Sequence, residues 1–234
     1  MTKPPGVMRA YYELAKPGIV YGNVLVAAAG FLYAAAGHPN WLLFLYTLVG
    51  LALVIASACT FNNYFDIGID KKMARTANRP LVSGSISGKN ALAYGTFLGV
   101  AGASLLFFLT TLPAFAAALL GWVIYVAVYT PLKHITPQAL WVGAIAGATP
   151  PVVGYAAVTG SIDSVACWFF AFLFVWQVPH FLGIAAYRYD EYAAADIPLL
   201  ISKPTVHGKK IGRIVFYISL VVLLVWCGAL MLHR

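Results

Sequence analysis

Long apolar stretches alternate with shorter polar ones along the whole chain. Each apolar stretch is close to the roughly 20 residues with which an α-helix crosses the hydrocarbon core of a bilayer. The pattern predicts seven spans, at residues 17–36, 41–61, 90–110, 114–132, 138–158, 165–187 and 211–232. We therefore expect one all-α domain over residues 1–234, a polytopic bundle of transmembrane helices.

The composition agrees with a membrane protein. Of the 234 residues, 62% are hydrophobic and only 9% are charged, and the mean hydropathy is +0.83. A water-soluble globular surface cannot accommodate this composition. In the fifth span, the tandem Pro150-Pro151 predicts a bend, because proline removes a helical N–H group. Cys59, Cys167 and Cys227 lie in apolar context without metal-ligand spacing, which predicts buried thiols.

The net charge of +8 is distributed unevenly over the connections between spans. Lys and Arg precede the first span, follow the fourth, and concentrate after the second and sixth, whereas the other connections contain neither. This alternation indicates a membrane protein with a cytoplasmic N-terminus and cytoplasmic long loops, rather than a nucleic-acid-binding protein. The expected location is the bacterial inner membrane, surrounded by lipid, with the working face on the cytoplasmic side.

The segment that follows the second span carries the most informative polar pattern. Asn62, Asp66 and Asp70 stand at intervals of four, so on a continuing helix they share one face. Oxygen ligands on an open face suit Mg²⁺, which binds through one or two carboxylates together with substrate phosphates. Basic residues follow at once, and they supply counter-charges for phosphate oxygens. These are Lys71, Lys72, Arg75 and Arg79.

Spacing alone leaves a second interpretation open. Asp66 and Asp70 would then be solvated charges at a helix end, paired with Arg75 and Lys71 and contributing little. Ionisable residues arranged on one face where a span meets the membrane surface favour the functional interpretation.

Several motifs in order along the chain resemble the UbiA prenyltransferase superfamily, in the form found in its haem-modifying branch. The run Asn62-Asn63-Tyr64-x-Asp66-x-x-x-Asp70, continuing to Asn78-Arg79, resembles the first aspartate-rich motif of the superfamily. Further matches are Lys16-Pro17-Gly18 with Asn23, Tyr129-Thr130-Pro131-Leu132-Lys133, Gly147-Ala148-x-Pro150-Pro151-x-x-Gly154, and Trp176-Gln177-x-Pro179-His180-Phe181 with Arg188. The resemblance covers nearly the whole chain and implies a UbiA-like helical bundle.

The resemblance also implies a reaction. A farnesyl group would pass from farnesyl diphosphate to a vinyl group of haem b, with addition of water, giving haem O for haem–copper terminal oxidases. Mg²⁺ would be the cofactor. Protein partners implied at this level are haem A synthase or the terminal oxidase assembly.

The site residues follow from the same resemblance. Asp66 and Asp70 would hold Mg²⁺, and Asn62 would orient a ligand or a bound water. The predicted substrate contacts are Lys71, Arg75, Arg79, Lys133, Asn23, Tyr129 and Arg188. His180 would approach the porphyrin as an iron ligand or as a base that positions water, although a packed interfacial histidine fits the sequence as well. Arg188 would meet a haem propionate or form a solvated charge pair.

The chain departs from the superfamily pattern in three ways. His134 stands where an arginine is usual, and Asp196 and Leu200 replace the common Gly and Pro around Ile197-Pro198. Superfamily members have about nine spans, so a chain of seven resembles a C-terminally shortened member. Two rival functions stay open: a related prenyltransferase with an aromatic or chlorin acceptor, and a membrane carrier that uses the same acidic face.

Overall fold

The computed structural model describes residues 6–232, and this part of the chain is helical without strands. The α-helices are α1 Val7–Leu14, α2 Pro17–Ala35, α3 Trp41–Phe65, α4 Ile67–Asp70, α5 Gly88–Leu109, α6 Leu112–Val123, α7 Thr130–Leu132, α8 Ala139–Gly147, α9 Thr149–Thr159, α10 Ser164–Tyr187, α11 Tyr189–Ala194 and α12 Val206–Leu232. A π-helical segment, Ile124–Tyr129, joins α6 to α7.

Seven helical stretches in this part of the chain are long and apolar enough to cross a membrane, which confirms the predicted number of spans. Spans 1, 2 and 3 are α2, α3 and α5; span 4 runs from α6 to α7; span 5 comprises α8 and α9; spans 6 and 7 are α10 and α12. Span 2 extends to Phe65 and span 7 begins at Val206, several residues beyond the predicted limits. Hydropathy falls before the helix ends, because polar residues occupy the terminal turns.

Span 5 is the centre of the bundle. Its apolar window is 72% buried, whereas the corresponding windows of the other spans are 17–39% buried. Span 5 crosses span 1 with the two backbones in close contact, and a Cβ at Gly154 would collide with the Ala27 carbonyl and lie 2.9 Å from the Phe31 nitrogen. A Cβ at Gly30 would likewise collide with the carbonyl of Pro151. Small residues therefore set the central helix crossing, as is common in membranes.

Two spans are interrupted next to prolines. Span 5 is interrupted at Ala148, between α8 and α9, next to the Pro150-Pro151 pair from which a bend was predicted. In span 4 the backbone N–H of Thr130 donates to the carbonyl of Tyr125, five residues back, and the Thr130 hydroxyl donates to the same oxygen at 2.8 Å. This π-helical turn precedes Pro131 and brings the rings of Tyr125 and Tyr129 into a stack with centroids 5.2 Å apart.

The segments after spans 2 and 6, residues 66–87 and 188–205, lie at one end of the bundle, which we call the long-loop side. Lys72 Nζ lies 2.6 Å from Asp196 Oδ2, and Arg75 Nε lies 3.2 Å from Glu191 Oε2, so ion pairs connect the two segments. Helix α1 also packs here, with Leu14 fully buried.

The predicted burial of the three thiols is correct for two of them. Cys59 and Cys227 are buried, but Cys167 is exposed on span 6. An apolar neighbourhood in a membrane protein does not require burial within the protein, because lipid covers the outer faces of the spans.

Candidate active site

A cavity of about 480 Å³ opens at the long-loop side. We call it the polar cavity. Its charged lining comprises five cationic and two acidic side chains: Lys16, Arg75, Arg79, Lys133, Arg188, Asp66 and Asp70. Asn62 and Tyr129 also line it. The structure therefore brings together residues from four parts of the sequence, most of which were predicted as site residues.

Asn62, Asp66 and Asp70 follow one helical path into the polar cavity. The backbone N–H of Asp66 donates to the Asn62 carbonyl at 3.0 Å, and that of Asp70 donates to the Asp66 carbonyl at 2.8 Å. The path continues from α3 into α4 although α3 ends at Phe65. All three side chains are buried, with 1%, 5% and 2% exposure respectively. The shared face expected from the spacing is present, and the alternative of solvated helix-end charges is wrong for these two carboxylates.

Each buried carboxylate has a cationic partner. Arg79 Nη1 donates to both Asp70 oxygens, at 2.7 and 2.8 Å, and to Asn63 Oδ1 at 3.1 Å. Lys133 Nζ donates to Asp66 Oδ2. These pairings offset much of the cost of burying the charges. Two cations predicted as phosphate contacts thus contact the predicted metal ligands in this structure.

Lys16 completes the cluster, and we did not predict it as a site residue. Its backbone is left-handed, with φ 51° and ψ 65°, and its ammonium group donates to Asn62 Oδ1. The Asn62 amide in turn donates to the Thr130 hydroxyl at 3.0 Å. Burial lowers the pKa of Lys16 to about 8, and nearby Arg79 and Lys133 act in the same direction. A lysine directly before a span is typical of positive-inside flanks, so its position in the sequence did not indicate a contact with Asn62 in the polar cavity.

The donor set of the polar cavity fits Mg²⁺ bound together with a phosphate ligand. Asp66 Oδ1 is the one buried side-chain oxygen or nitrogen in the described part of the chain that lacks a hydrogen-bond partner. His134 Nε2 lies 3.4 Å from it without forming a hydrogen bond. Residues 6–232 contain no group of three or more His, Cys, Asp or Glu side chains arranged around one point. Two carboxylates alone suit a metal that completes its shell with water and phosphate.

The rim of the polar cavity is organised by Glu191. It accepts from Arg75 Nε at 3.2 Å and from Arg188 Nη1 at 2.8 Å. Arg75 and Arg188 therefore line the cavity and share one carboxylate, and the pair with Glu191 is the charge pair left open for Arg188 in the sequence. Lys71 is exposed and does not line the cavity, so its position gives no support to the predicted phosphate contact. It follows Asp70 in the turn, away from the buried face.

A second cavity, of about 400 Å³, adjoins the polar one deeper in the bundle, and we call it the apolar cavity. The two share Ile19, Tyr125, Tyr129 and Phe181 in their walls. Asn23 lines the apolar cavity and donates its side-chain amide to the Ile19 carbonyl at 2.7 Å. The stacked tyrosines of the π-helical turn thus stand at the junction between a charged compartment and an apolar one.

His180 lies in the wall of the apolar cavity, away from the carboxylates. Its ring stacks on Trp176, with centroids 4.8 Å apart, and Nδ1 lies 2.8 Å from Ser219 Oγ. The Ser219 hydroxyl donates its only proton to the Phe216 carbonyl at 2.6 Å, so it accepts from Nδ1–H. In neutral His180 the second nitrogen, Nε2, is therefore the one with a free lone pair.

The fold and the two cavities define a polytopic membrane protein with a charged pocket for an anionic group next to an apolar pocket. The profile of the UbiA prenyltransferase family matches residues 23–234. The chain belongs to this family.

Relatives and solved structures agree with this assignment. Protoheme IX farnesyltransferase from Klebsiella pneumoniae is 44% identical over 208 residues, covering 88% of this chain and 70% of that protein. The protein of the same name from Escherichia coli O6:K15:H31 is also 44% identical, with 88% and 69% covered. A UbiA homolog from Archaeoglobus fulgidus bound to DMAPP and Mg²⁺ superimposes with a TM-score of 0.68 at 17% identity, covering 92% of this chain and 75% of that one. A structure of digeranylgeranylglyceryl phosphate synthase gives 0.70 at 15% identity, with 96% and 85% covered. The structural likeness supports the fold.

Proposed function

We propose that this protein transfers the farnesyl group of farnesyl diphosphate to a vinyl group of haem b, with addition of water, and so forms haem O. The observation that carries the proposal is the junction of a cationic cavity and an apolar cavity at Tyr125 and Tyr129. A prenyl diphosphate has the same division between a charged head and an apolar chain. The relatives named above support haem b as the acceptor.

The diphosphate is assigned to the polar cavity. Asp66 and Asp70, with Asn62 beside them, would hold Mg²⁺, which when bound stabilises negative charge on the phosphate oxygens. Lys133 and Arg79 pair with these carboxylates in the present structure. With Mg²⁺ held by Asp66 and Asp70, Lys133 and Arg79 would be available to phosphate oxygens. Each side chain thereby keeps a partner of opposite charge in both states, which avoids an unpaired buried ion.

Ionisation of the allylic carbon–oxygen bond is the difficult step. The bonding electron pair leaves with the diphosphate, where preorganised cations stabilise the developing charge. The allylic carbon then bonds to the terminal vinyl carbon of haem b, and water adds to the other vinyl carbon with loss of a proton. The half-buried rings of Tyr125 and Tyr129 would limit the access of bulk water to an allylic carbon bound at the junction before the acceptor reacts.

The vinyl-bearing edge of the acceptor is assigned to the part of the apolar cavity beside His180, and the prenyl chain to the part beside span 4. The Nε2 lone pair of His180 serves either of two roles: ligation of the haem iron or acceptance of the proton that the added water loses. Ser219 holds the ring in the tautomer that both roles require. Arg188, at the rim of the polar cavity, is in place to meet a carboxylate of the porphyrin.

We place the protein in the bacterial inner membrane with the long-loop side facing the cytoplasm. The support is the concentration of Lys and Arg on the segments of that side. Farnesyl diphosphate would then reach the polar cavity from the cytoplasm.

The test is a product assay with detergent-purified protein, haem b, farnesyl diphosphate and Mg²⁺, read by mass spectrometry. Wild-type protein should give a magnesium-dependent adduct of haem, farnesyl and water, and Asp66→Asn should reduce it by more than about 100-fold, as losses of charge-stabilising groups do. Asp190→Asn is the matched control, because Asp190 pairs with Lys209 outside both cavities. Equal losses of adduct formation in the two variants, or adduct formation that does not depend on magnesium, would contradict the assignment.

A further inference from the structure

A third cavity, of about 350 Å³, lies between spans 2, 3 and 4, and we call it the outer cavity. Its lining is almost entirely apolar and includes Phe61, Gly99, Ala103, Leu106 and Leu119. Val100 and Leu119 are exposed, so the outer cavity opens toward the lipid-facing surface of the bundle.

The outer cavity and the apolar cavity have a common wall made of Val54, Ala118 and Trp122. Trp122 is the only bulky ring of the three. Its indole N–H donates to Ser57 Oγ at 3.1 Å, and its ring meets Phe61 edge-on with centroids 5.6 Å apart. The indole is therefore held in place at the boundary between the two spaces.

Span 4 contributes side chains both to the diphosphate site and to the boundary at Trp122. Lys133 lies in the polar cavity, Tyr129 and Tyr125 at the junction, and Trp122 at the far wall of the apolar cavity. At 1.5 Å per residue, the path from Lys133 to Trp122 is about 16 Å long. A prenyl chain that starts at the diphosphate and follows span 4 therefore ends against Trp122.

We propose that Trp122 sets the length of the prenyl chain, and that the outer cavity receives the terminal isoprene units of longer chains once the indole is replaced by a small side chain. This inference rests on the proposed function and specifies its donor. The ligand class is an isoprenoid hydrocarbon. We assign it because the outer cavity would be continuous with the apolar cavity if the Trp122 side chain were small. With the indole present the outer cavity is closed to the substrate. With a small residue there, the two spaces join.

The experiment is a competition between farnesyl and geranylgeranyl diphosphates at equal concentration, with haem b as acceptor and products weighed by mass spectrometry. Trp122→Ala should raise the ratio of geranylgeranyl to farnesyl product at least about tenfold, the scale on which apolar pockets discriminate by size. Trp122→Leu should raise it less, and it serves as the readout if the alanine variant does not fold. Trp168→Leu, which removes an exposed tryptophan of span 6, should leave the ratio unchanged.

A substitution that fills the outer cavity tests whether the additional isoprene unit binds there. Ala103→Phe placed in the Trp122→Ala background should return the ratio toward the wild-type value, because Ala103 lines the outer cavity but not the apolar one. An unchanged ratio in both Trp122 variants would overturn the proposal. A raised ratio that Ala103→Phe fails to lower would also overturn the outer cavity as the site. Wild-type protein that prenylates haem with neither donor would instead refute the proposed function itself.

Discussion

The buried ion pair between Asp70 and Arg79 allows a quantitative prediction. The Asp70 side chain is 2% exposed, whereas that of Arg79 is 25% exposed. Arg79→Gln leaves the carboxylate buried with its main partner removed, and breaking such a pair typically costs 3–5 kcal/mol. Because water reaches this cavity, we expect the lower end, about 3 kcal/mol, as a loss in the free energy of unfolding.

A double-mutant cycle separates this penalty from the net contribution of the pair. Asp70→Asn should cost less than Arg79→Gln, since the partly exposed guanidinium keeps access to water. The double variant should be more stable than Arg79→Gln alone, giving a coupling energy of about 2 kcal/mol, within the range for residues of one network. Denaturant titration in mixed micelles measures the stabilities, and the haem assay should show no activity in any variant that lacks Asp70.

The matched control is Arg9→Gln. Arg9 forms a similar contact, 2.8 Å to Glu13, but its side chain is 74% exposed. Exposed pairs contribute little, so this variant should unfold like the wild type. Equal stability of Arg79→Gln and Arg9→Gln would show that burial does not determine how much the Arg79–Asp70 pair contributes to the free energy of unfolding.

Two further substitutions test the packing and the acceptor side. Gly154→Ala should lower the free energy of unfolding by about 1–3 kcal/mol, the usual cost of overpacking, because the added Cβ meets the backbone of span 1. Gly228→Ala should not lower it, because the space around Gly228 is open. Equal midpoints of thermal unfolding for the two variants would contradict this. Ser219→Ala should reduce haem O formation about tenfold by releasing the ring of His180, and His207→Ala, an exposed histidine, should have no effect. A changed optical spectrum of the haem-loaded Ser219 variant would identify His180 as an iron ligand, and an unchanged spectrum with lower turnover would identify a base. Full turnover would contradict the positioning of His180 by Ser219.

The membrane architecture was predictable because hydropathy acts over whole helices. Seven spans followed from seven apolar windows, and the family resemblance seen in the Asn62 to Arg79 motif is confirmed by the family match. Asn62, Asp66 and Asp70 were found together because their spacing matches the helical repeat. Their roles in metal binding stay predictions.

What the sequence did not reveal depends on contacts between distant segments. Lys16 contacts Asn62 only because span 1 packs beside the end of span 2. The π-helical turn that aligns Tyr125 with Tyr129 is one residue wider than a regular turn, and no periodicity in an apolar run indicates it. The pairing of Lys133 with Asp66 was equally hidden, since residues 67 positions apart are brought together by tertiary structure alone.

The charge balance of the polar cavity has a consequence for the order in which ligands bind. Five cationic side chains and two carboxylates line it, and Glu191 at the rim offsets only part of the positive excess. A free divalent ion approaching this lining is repelled, because both carboxylates are already neutralised by their partners. A magnesium–diphosphate complex carries net negative charge and is attracted. We therefore expect the metal to bind as a complex with the substrate diphosphate and to leave with the released diphosphate. Each turnover would then also exchange the metal ion.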